Sequence, residues 1–245
     1  MKSDELLVLR EELERRARDM GARSFGIADL TPAHDAIVAQ GGEFLAGFER
    51  ALSVGIGLGD GIVDQLPRHK EITVARTYDQ LYITVNQSLN PLALRLSAIL
   101  HEHGFEVLII PASDVLDSEN AYGLFSHKLA ARLAGFGCIG PSCLLITPEM
   151  GPRVRWVTVL TDAPFEAGRI LPDRCEDCQL CVEACPPKAF TGRRFDPAEP
   201  REVRFDVHKC IEYRRYLQDK VTGVRVCGMC VHVCPFGQRQ TLLTY

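Results

Sequence analysis

The run Cys175-Glu-Asp-Cys178-Gln-Leu-Cys181-Val-Glu-Ala-Cys185-Pro186 constrains this chain more than any other stretch. Its spacing, C-x2-C-x2-C-x3-C-P, lets successive thiolates converge on one [4Fe-4S] cubane while the intervening amides point at its sulfurs. The proline after the fourth Cys supplies no N–H and opens a helix. A second copy follows as Cys227-Gly-Met-Cys230-Val-His-Val-Cys234-Pro235. Superposing the two pairs Cys178 with Cys227, Cys181 with Cys230 and Cys185 with Cys234, so the partner of Cys175 falls at Val224, which cannot ligate. Cys210, in Asp206-Val-His-Lys-Cys210, stands upstream as the replacement.

In two-cluster ferredoxins of the bacterial type, the fourth Cys of each run ligates the other cluster. That crossing gives one cluster Cys175, Cys178, Cys181 and Cys234, and the other Cys185, Cys210, Cys227 and Cys230. Two zinc sites or a disulfide framework are the alternatives. Zinc needs only two Cys-x-x-Cys pairs per site, and three close cysteines ending in Cys-Pro, twice over, are not its pattern.

The 245 residues are 46% hydrophobic with a net charge of −4, enough to bury a core in one or two domains and too acidic to announce a nucleic acid or an anionic membrane. Residues 1–10 hold a four-residue apolar run before charges resume, which is no secretory signal, and no stretch reaches the roughly 18 apolar residues of a membrane span. The expectation is a cytoplasmic protein, where ten cysteines point to metal rather than disulfides.

Ahead of the cysteines the pattern alternates. Leu6, Leu9, Leu13, Ala17 and Met20 predict an amphipathic helix ended by Gly21. Residues 24–28 predict a strand, Thr31 a cap before Pro32, and residues 51–58 a buried strand with a ligand-facing end. A helix is expected over 78–102, interrupted by Pro91, then a strand over 105–110 and a polar connector to 124. A short helix over 126–133 runs into the glycine-rich loop Ala134-Gly-Phe-Gly-Cys-Ile-Gly140, whose amides can face a ligand, and residues 143–147 and 153–161 read as a hairpin. The fold class is α+β: an N-terminal α/β domain over 1–165 with mixed strand directions, and a double [4Fe-4S] module over 166–245. In that module, 190–209 reads as a charged insertion and 211–222 as a helix.

Several of these residues, taken in order, resemble one family. Ser126-His-Lys128, the loop 134–140, Leu144-Leu-Ile-Thr147, Gly151-Pro-Arg-Val-Arg155, Val159-Leu-Thr-Asp162 and the double-cluster run are similar to the epoxyqueuosine reductase-like proteins, relatives of the reductive dehalogenases. The resemblance covers most of residues 20–236. It implies an N-terminal cobalamin-domain-like fold that holds a corrinoid, and two clusters that feed electrons to its cobalt. It places Ser126, His127, Gly135, Gly137, Cys138 and Gly140 at the cofactor. It also implies an electron donor such as ferredoxin or flavodoxin, with a small molecule or a corrinoid as substrate.

The departures matter as much. The family's catalytic Asp corresponds to Ala121, with Asp117-Ser118 four residues before it and no following proline. The helical-repeat domain that holds tRNA in those enzymes is expected to be missing, and Cys138 stands where the loop often has an aromatic. A short branch that does not act on epoxyqueuosine tRNA is therefore expected. Asp117, His127 and Lys128 are the candidate catalytic groups. Against them stand a solvated turn for Asp117, a backbone-bonded helix-start histidine for His127 and a surface lysine for Lys128. Cys138 and Cys143 are either small buried hydrophobes or groups near the cofactor. Trp156 is expected in the hairpin core, and the Asp-x-His-x-x-Gly pattern that ligates cobalamin elsewhere does not occur. The competing class is an electron carrier or corrinoid-reactivating protein without substrate chemistry of its own, and flavin is the alternative occupant of the α/β domain.

Overall fold

The computed structural model describes residues 2–238, which leaves the last seven residues of the expected second domain outside the described residues. The elements run α1 (Ser3–Asp19), β1 (Ser24–Asp29), α2 (His34–Gly41), β2 (Arg50–Gly57), α3 (Asp60–Val63), α4 (Ile72–Glu102) and β3 (Val107–Ile110). They continue with α5 (His127–Leu133), β4 (Cys138–Ile139), β5 (Leu145–Ile146), β6 (Val154–Thr161), α6 (Leu180–Glu183), α7 (Val207–Leu217) and α8 (Met229–His232). Two compact units interleave along the chain: residues 1–57, 82–138 and 155–173 form one, and residues 58–81, 139–154 and 174–245 the other. Beside the boundary expected at 165/166, compactness divides the chain at several points, with the segments on either side of residue 154 falling in different units.

The first unit is built on a four-stranded sheet in the order β1-β2-β6-β3. β1 and β2 are antiparallel with Phe25 opposite Val54 and Ile27 opposite Leu52, and β3 and β6 are antiparallel with Leu108 opposite Leu160. Residues along β1, β2 and β6 are buried with little alternation, the mark of a sheet covered on both faces. α5 packs on β1 and β2, and Ala130, Leu133 and Ala134 join Ala28, Leu30, Ala51, Ile110 and Leu160 in one apolar cluster. α1 contributes Leu9, Leu13 and Ala17, all buried at the predicted helical spacing. Leu89, Leu92, Leu96 and Leu100 form the fully buried stripe of α4, each side chain removed from water being worth about 1.5–3 kcal/mol. Pro91 stays inside that helix, and Asn90 beside it accepts the Ala112 amide at 2.8 Å.

Four local expectations are corrected. Residues 153–161 do not form a hairpin with 143–147: β6 lies between β2 and β3, while β5 pairs with β4. The eight-residue run of β6 buries both its faces and so takes an interior position that a two-residue partner could not cover. Trp156 consequently packs in the sheet, its ring 5.2 Å from that of Phe136. α4 starts at Ile72 rather than near 78, since Val74, Ala75 and Tyr78 are buried too. Thr31 is not a cap; its amide and hydroxyl both donate to the Asp29 carboxylate, at 3.1 and 2.7 Å. α7 starts at Val207, capped by Asp206, whose carboxylate accepts the Lys209 amide at 3.1 Å, so Cys210 lies on a helix.

The second unit carries tight turns. Gly140-Pro141-Ser142-Cys143 closes with the Cys143 amide donating to the Gly140 carbonyl at 2.8 Å, Pro141 presetting its first corner. Thr147 and Gly151 exchange two backbone hydrogen bonds of 3.0 Å. Arg153, 1% exposed, donates to Asp60 at 2.8 Å and lies 2.7 Å from Asp64, which ties α3 to the start of β6. Among the described residues, no helix is long and apolar enough to cross a membrane.

Candidate metal centre

The seven cysteines of the two runs and Cys210 all lie in the second unit, where local geometry sorts them into two groups. Cys175, Cys178, Cys181 and Cys234 line one pocket together with Gly140, Pro141, Ser142, Ile146, Leu180, Pro235 and Phe236. The loop that begins there folds back at once, the Cys178 amide donating to the Cys175 carbonyl at 2.8 Å, and Cys181 sits on the single turn of α6. Burial pushes the Cys181 thiol up, and the neighbouring Ser142 holds it back. Gly140 is required by this approach, since a Cβ there would stand 2.9 Å from the Cys175 sulfur.

Cys185, Cys210, Cys227 and Cys230 form the other group. Cys210 and Cys230 pack on the buried cluster of Cys185, Ala189 and Phe190, and the Ala189 amide donates to the Cys185 sulfur at 3.4 Å. Burial pushes the Cys227 thiol up to about 11, with Cys210 and Cys185 adding to the rise, and pushes Cys230 higher still, with Cys227, Cys210 and Cys185 contributing. Burial and the neighbouring Cys185 also raise Cys210. Three close thiols that resist ionising alone, Cys210, Cys227 and Cys230, suit a site where cationic iron replaces the protons, because the metal supplies the charge that burial denies. Gly228 (φ 80°) turns the chain between Cys227 and α8, and a Cβ there would meet Leu66 and Tyr78 at 2.7 and 2.9 Å.

Two residues beside this group carry no motif and escape sequence reasoning. His69 is buried; its Nδ1 faces the Leu66 carbonyl at 3.0 Å and must donate, so Nε2 accepts the Tyr213 hydroxyl at 2.9 Å. Tyr213 stands one turn after Cys210, and burial, with Cys227 next in effect, raises it to about 12. Only the spacing Cys210-x-x-Tyr213 on a predicted helix hints at it.

The residues assigned to the first unit's cofactor are placed as follows. Ser126 caps α5, accepting the Leu129 amide at 3.4 Å. His127 Nε2 donates to the Pro111 carbonyl at 3.1 Å, which leaves Nδ1 to accept the Thr158 hydroxyl at 2.8 Å. Burial lowers His127 to about 4, so the ring is neutral near pH 7. Gly135 (φ 84°) lets the chain pass the Arg169 carbonyl, 2.5 Å from where a Cβ would be. Gly137, Cys138 and Cys143 are buried, and Lys128 is half-buried on α5. The Asp117 carboxylate accepts the Glu119 and Asn120 amides at 2.9 and 3.0 Å and the Asn120 side chain at 2.8 Å, holding the turn to Tyr122 on which Ala121 adopts φ 51°.

His127 yields a pH prediction. The unfolded chain protonates this ring near pH 6.5, the folded chain only near 4, so folding loses stability as pH falls through that window. The thermal midpoint of wild type is expected to drop more steeply than that of His127→Gln between pH 6.5 and 5; parallel slopes would contradict it.

Residues 174–237 match the family described as 4Fe-4S double cluster binding domain. An epoxyqueuosine reductase of Listeria monocytogenes is 32% identical over 119 residues, 47% of this chain and 31% of that protein. A tetrachloroethene reductive dehalogenase of Sulfurospirillum multivorans is 32% identical over 120 residues, 42% of this chain and 22% of that protein. The matches thus span about a third or less of these curated relatives. Among solved structures, an epoxyqueuosine reductase superposes with TM-score 0.59 at 18% identity, covering 96% of this chain and 67% of that one, and a catabolic reductive dehalogenase with TM-score 0.68 at 20% identity, covering 95% and 32%. A similar structure, at TM-score 0.58, is an epoxyqueuosine reductase with a modified tRNA-Tyr stem loop, so the exclusion of nucleic acid drawn from net charge finds no support here.

Proposed function

We propose that this epoxyqueuosine reductase-like chain passes electrons through two [4Fe-4S] clusters to a corrinoid, for reduction of a substrate still to be identified. The observation that carries the reading is the convergence of Cys175, Cys178 and Cys181 with Cys234, a residue of the other run, around one pocket. Those four thiolates would hold the first cluster, and Cys185, Cys210, Cys227 and Cys230 the second. The clusters, when bound, supply one-electron carriage; the chain supplies the ligands, covers the first site with Ile146, and donates the Ala189 amide to the Cys185 sulfur. A corrinoid is supported by the shared fold with a reductive dehalogenase whose structure was described for B12-dependent dehalogenation, at TM-score 0.64. A ferredoxin or flavodoxin as electron donor and a cytoplasmic setting belong to the same proposal.

A second reading, an electron carrier or corrinoid-reactivating protein, is favoured by the commitments of Ser126, His127, Gly135 and Asp117 to helix capping, sheet contacts, chain packing and a turn. On this second reading those groups frame the first unit, and the chain's own chemistry is confined to the iron–sulfur unit. Anaerobic purification with metal, sulfide and corrinoid analysis decides. About eight iron atoms per chain are expected. Stoichiometric corrinoid supports the reductase and clusters alone the carrier. A bound flavin replaces the corrinoid in the scheme, and zinc or about four iron atoms would overturn the two-cluster assignment.

A further inference from the structure

We propose that an acidic one-electron carrier protein docks on the basic face around α7 and delivers its electron to the second cluster. The inference rests on the reading that Cys185, Cys210, Cys227 and Cys230 hold that cluster. Residues 207–225 carry Lys209, Arg214, Arg215, Lys220 and Arg225 against two carboxylates, Glu212 and Asp219, in a chain whose net charge is −4. The fold gathers these cations. Arg214 Nε donates to the Arg225 carbonyl at 2.9 Å, which ties the segment after α7 back to the helix. Gly223 (φ 76°) turns the chain between Lys220 and Arg225, and a Cβ there would stand 3.4 Å from the Arg76 guanidinium, so Arg76 of α4 joins the same face. Lys209 pairs with Asp206 at 3.5 Å, whereas Arg76, Arg214, Arg215, Lys220 and Arg225 stand in no ion pair among the described residues. All of these five but Arg214 are exposed. Like charges gathered without counter-charge repel one another, and a partner's carboxylates relieve that repulsion.

The place of this face favours a redox partner over other polyanions. Cys210 lies one turn before Arg214 on α7, and Cys227 follows Arg225 by two residues. A protein held by these cations therefore stands beside ligands of the second cluster, and electron transfer, whose rate falls steeply with distance, needs that closeness. Tyr216, 52% exposed and next to Arg215, offers the aromatic contact that interfaces favour. A carrier must bind weakly and leave fast, so attraction between cations and carboxylates, rather than a large apolar contact, sets its association rate. With a flavodoxin as the carrier, the anionic flavin hydroquinone gives up one electron and becomes the neutral semiquinone, while the oxidised cluster takes that electron. No bond forms or breaks and no proton moves.

The test is stopped-flow reduction of the loaded protein by fully reduced flavodoxin, followed through semiquinone formation. In wild type the second-order rate should fall steeply between about 0.01 M and about 0.1 M salt, over which the screening length shrinks from about 30 to about 10 Å. The double variant Arg215→Glu, Lys220→Glu should be slower by about tenfold or more at the lower salt. Its reduction by photoreduced deazaflavin, a neutral small molecule that needs no docking face, should match wild type. Arg23→Glu with Arg95→Glu makes the same change in net charge at exposed cations of the first unit and should lose far less. Cys175→Ala, which keeps the second cluster, should keep the fast, salt-sensitive reduction. A flavodoxin rate indifferent to salt and to the double variant overturns the proposal, as does loss of the fast reduction in Cys175→Ala. So does a double variant slowed equally with deazaflavin, or one that loses only affinity for an RNA stem loop, which would assign the face to nucleic acid. Wild type without about eight iron atoms overturns the two-cluster reading instead.

Discussion

Cys234→Ala is expected to abolish the same electron paramagnetic resonance signal as Cys175→Ala, and Cys185→Ala the same signal as Cys210→Ala. Each variant should keep about four iron atoms where wild type holds about eight. The expectation is counter-intuitive in sequence terms, since Cys234 lies 59 positions from Cys175 while Cys185 lies only ten away. It follows from where the sulfurs are. Cys234 shares a pocket with Cys175, Cys178 and Cys181, whereas Cys185 packs with Cys210 and Cys230. Losing one thiolate from a cubane site removes a quarter of its protein ligands and the charge that balances the iron, so loss of the whole cluster is the expected effect. If Cys234→Ala and Cys210→Ala lost the same signal, the runs would each ligate their own cluster and the crossing would be wrong.

The cysteine pattern is legible in sequence because the ligands of a cubane must come from short loops, and short loops leave a fixed spacing. Cys210 is legible only by elimination, since its neighbours carry no second cysteine and its place on α7 depends on the cap at Asp206. Helices α1 and α5 and strands β1 and β2 are legible through local pattern. The place of β6 is not, because strand order is decided by long-range burial: nothing within residues 153–161 says that the partners are residues of β3 and β2 rather than the adjacent run. The first unit's candidate groups are ambiguous in sequence for a related reason. A glycine-rich loop and a histidine beside it look alike whether the glycines admit a ligand or another stretch of chain, and Gly135 admits the Arg169 carbonyl.

Gly151→Ala is expected to strip the first cluster and lower the thermal midpoint by on the order of 5–10 °C. Gly151 adopts φ 53°, and a Cβ there would stand 1.8 Å from the Phe236 carbonyl oxygen and 2.5 Å from its carbon. The obstacle is backbone, so no rotamer change relieves it. The left-handed conformation costs a non-glycine residue about 1–2 kcal/mol, and overpacking adds about 1–3 kcal/mol. The contact is reciprocal: Gly237 (φ 86°) brings its own backbone within 2.2 Å, measured from a would-be Cβ, of the Met150 carbonyl oxygen. A methyl at 151 must therefore push away residues 236–237, which follow Cys234 and Pro235 directly. Displacing that segment moves the one ligand of the first cluster that comes from the other run. Gly61→Ala is the matched control, since a Cβ at Gly61 on α3 meets nothing within 4 Å and an alanine in a helix is favoured by about 0.5–1 kcal/mol. A Gly151→Ala protein with a full complement of iron and an unchanged midpoint would mean that the turn at Thr147–Gly151 does not hold the Cys234 segment in place.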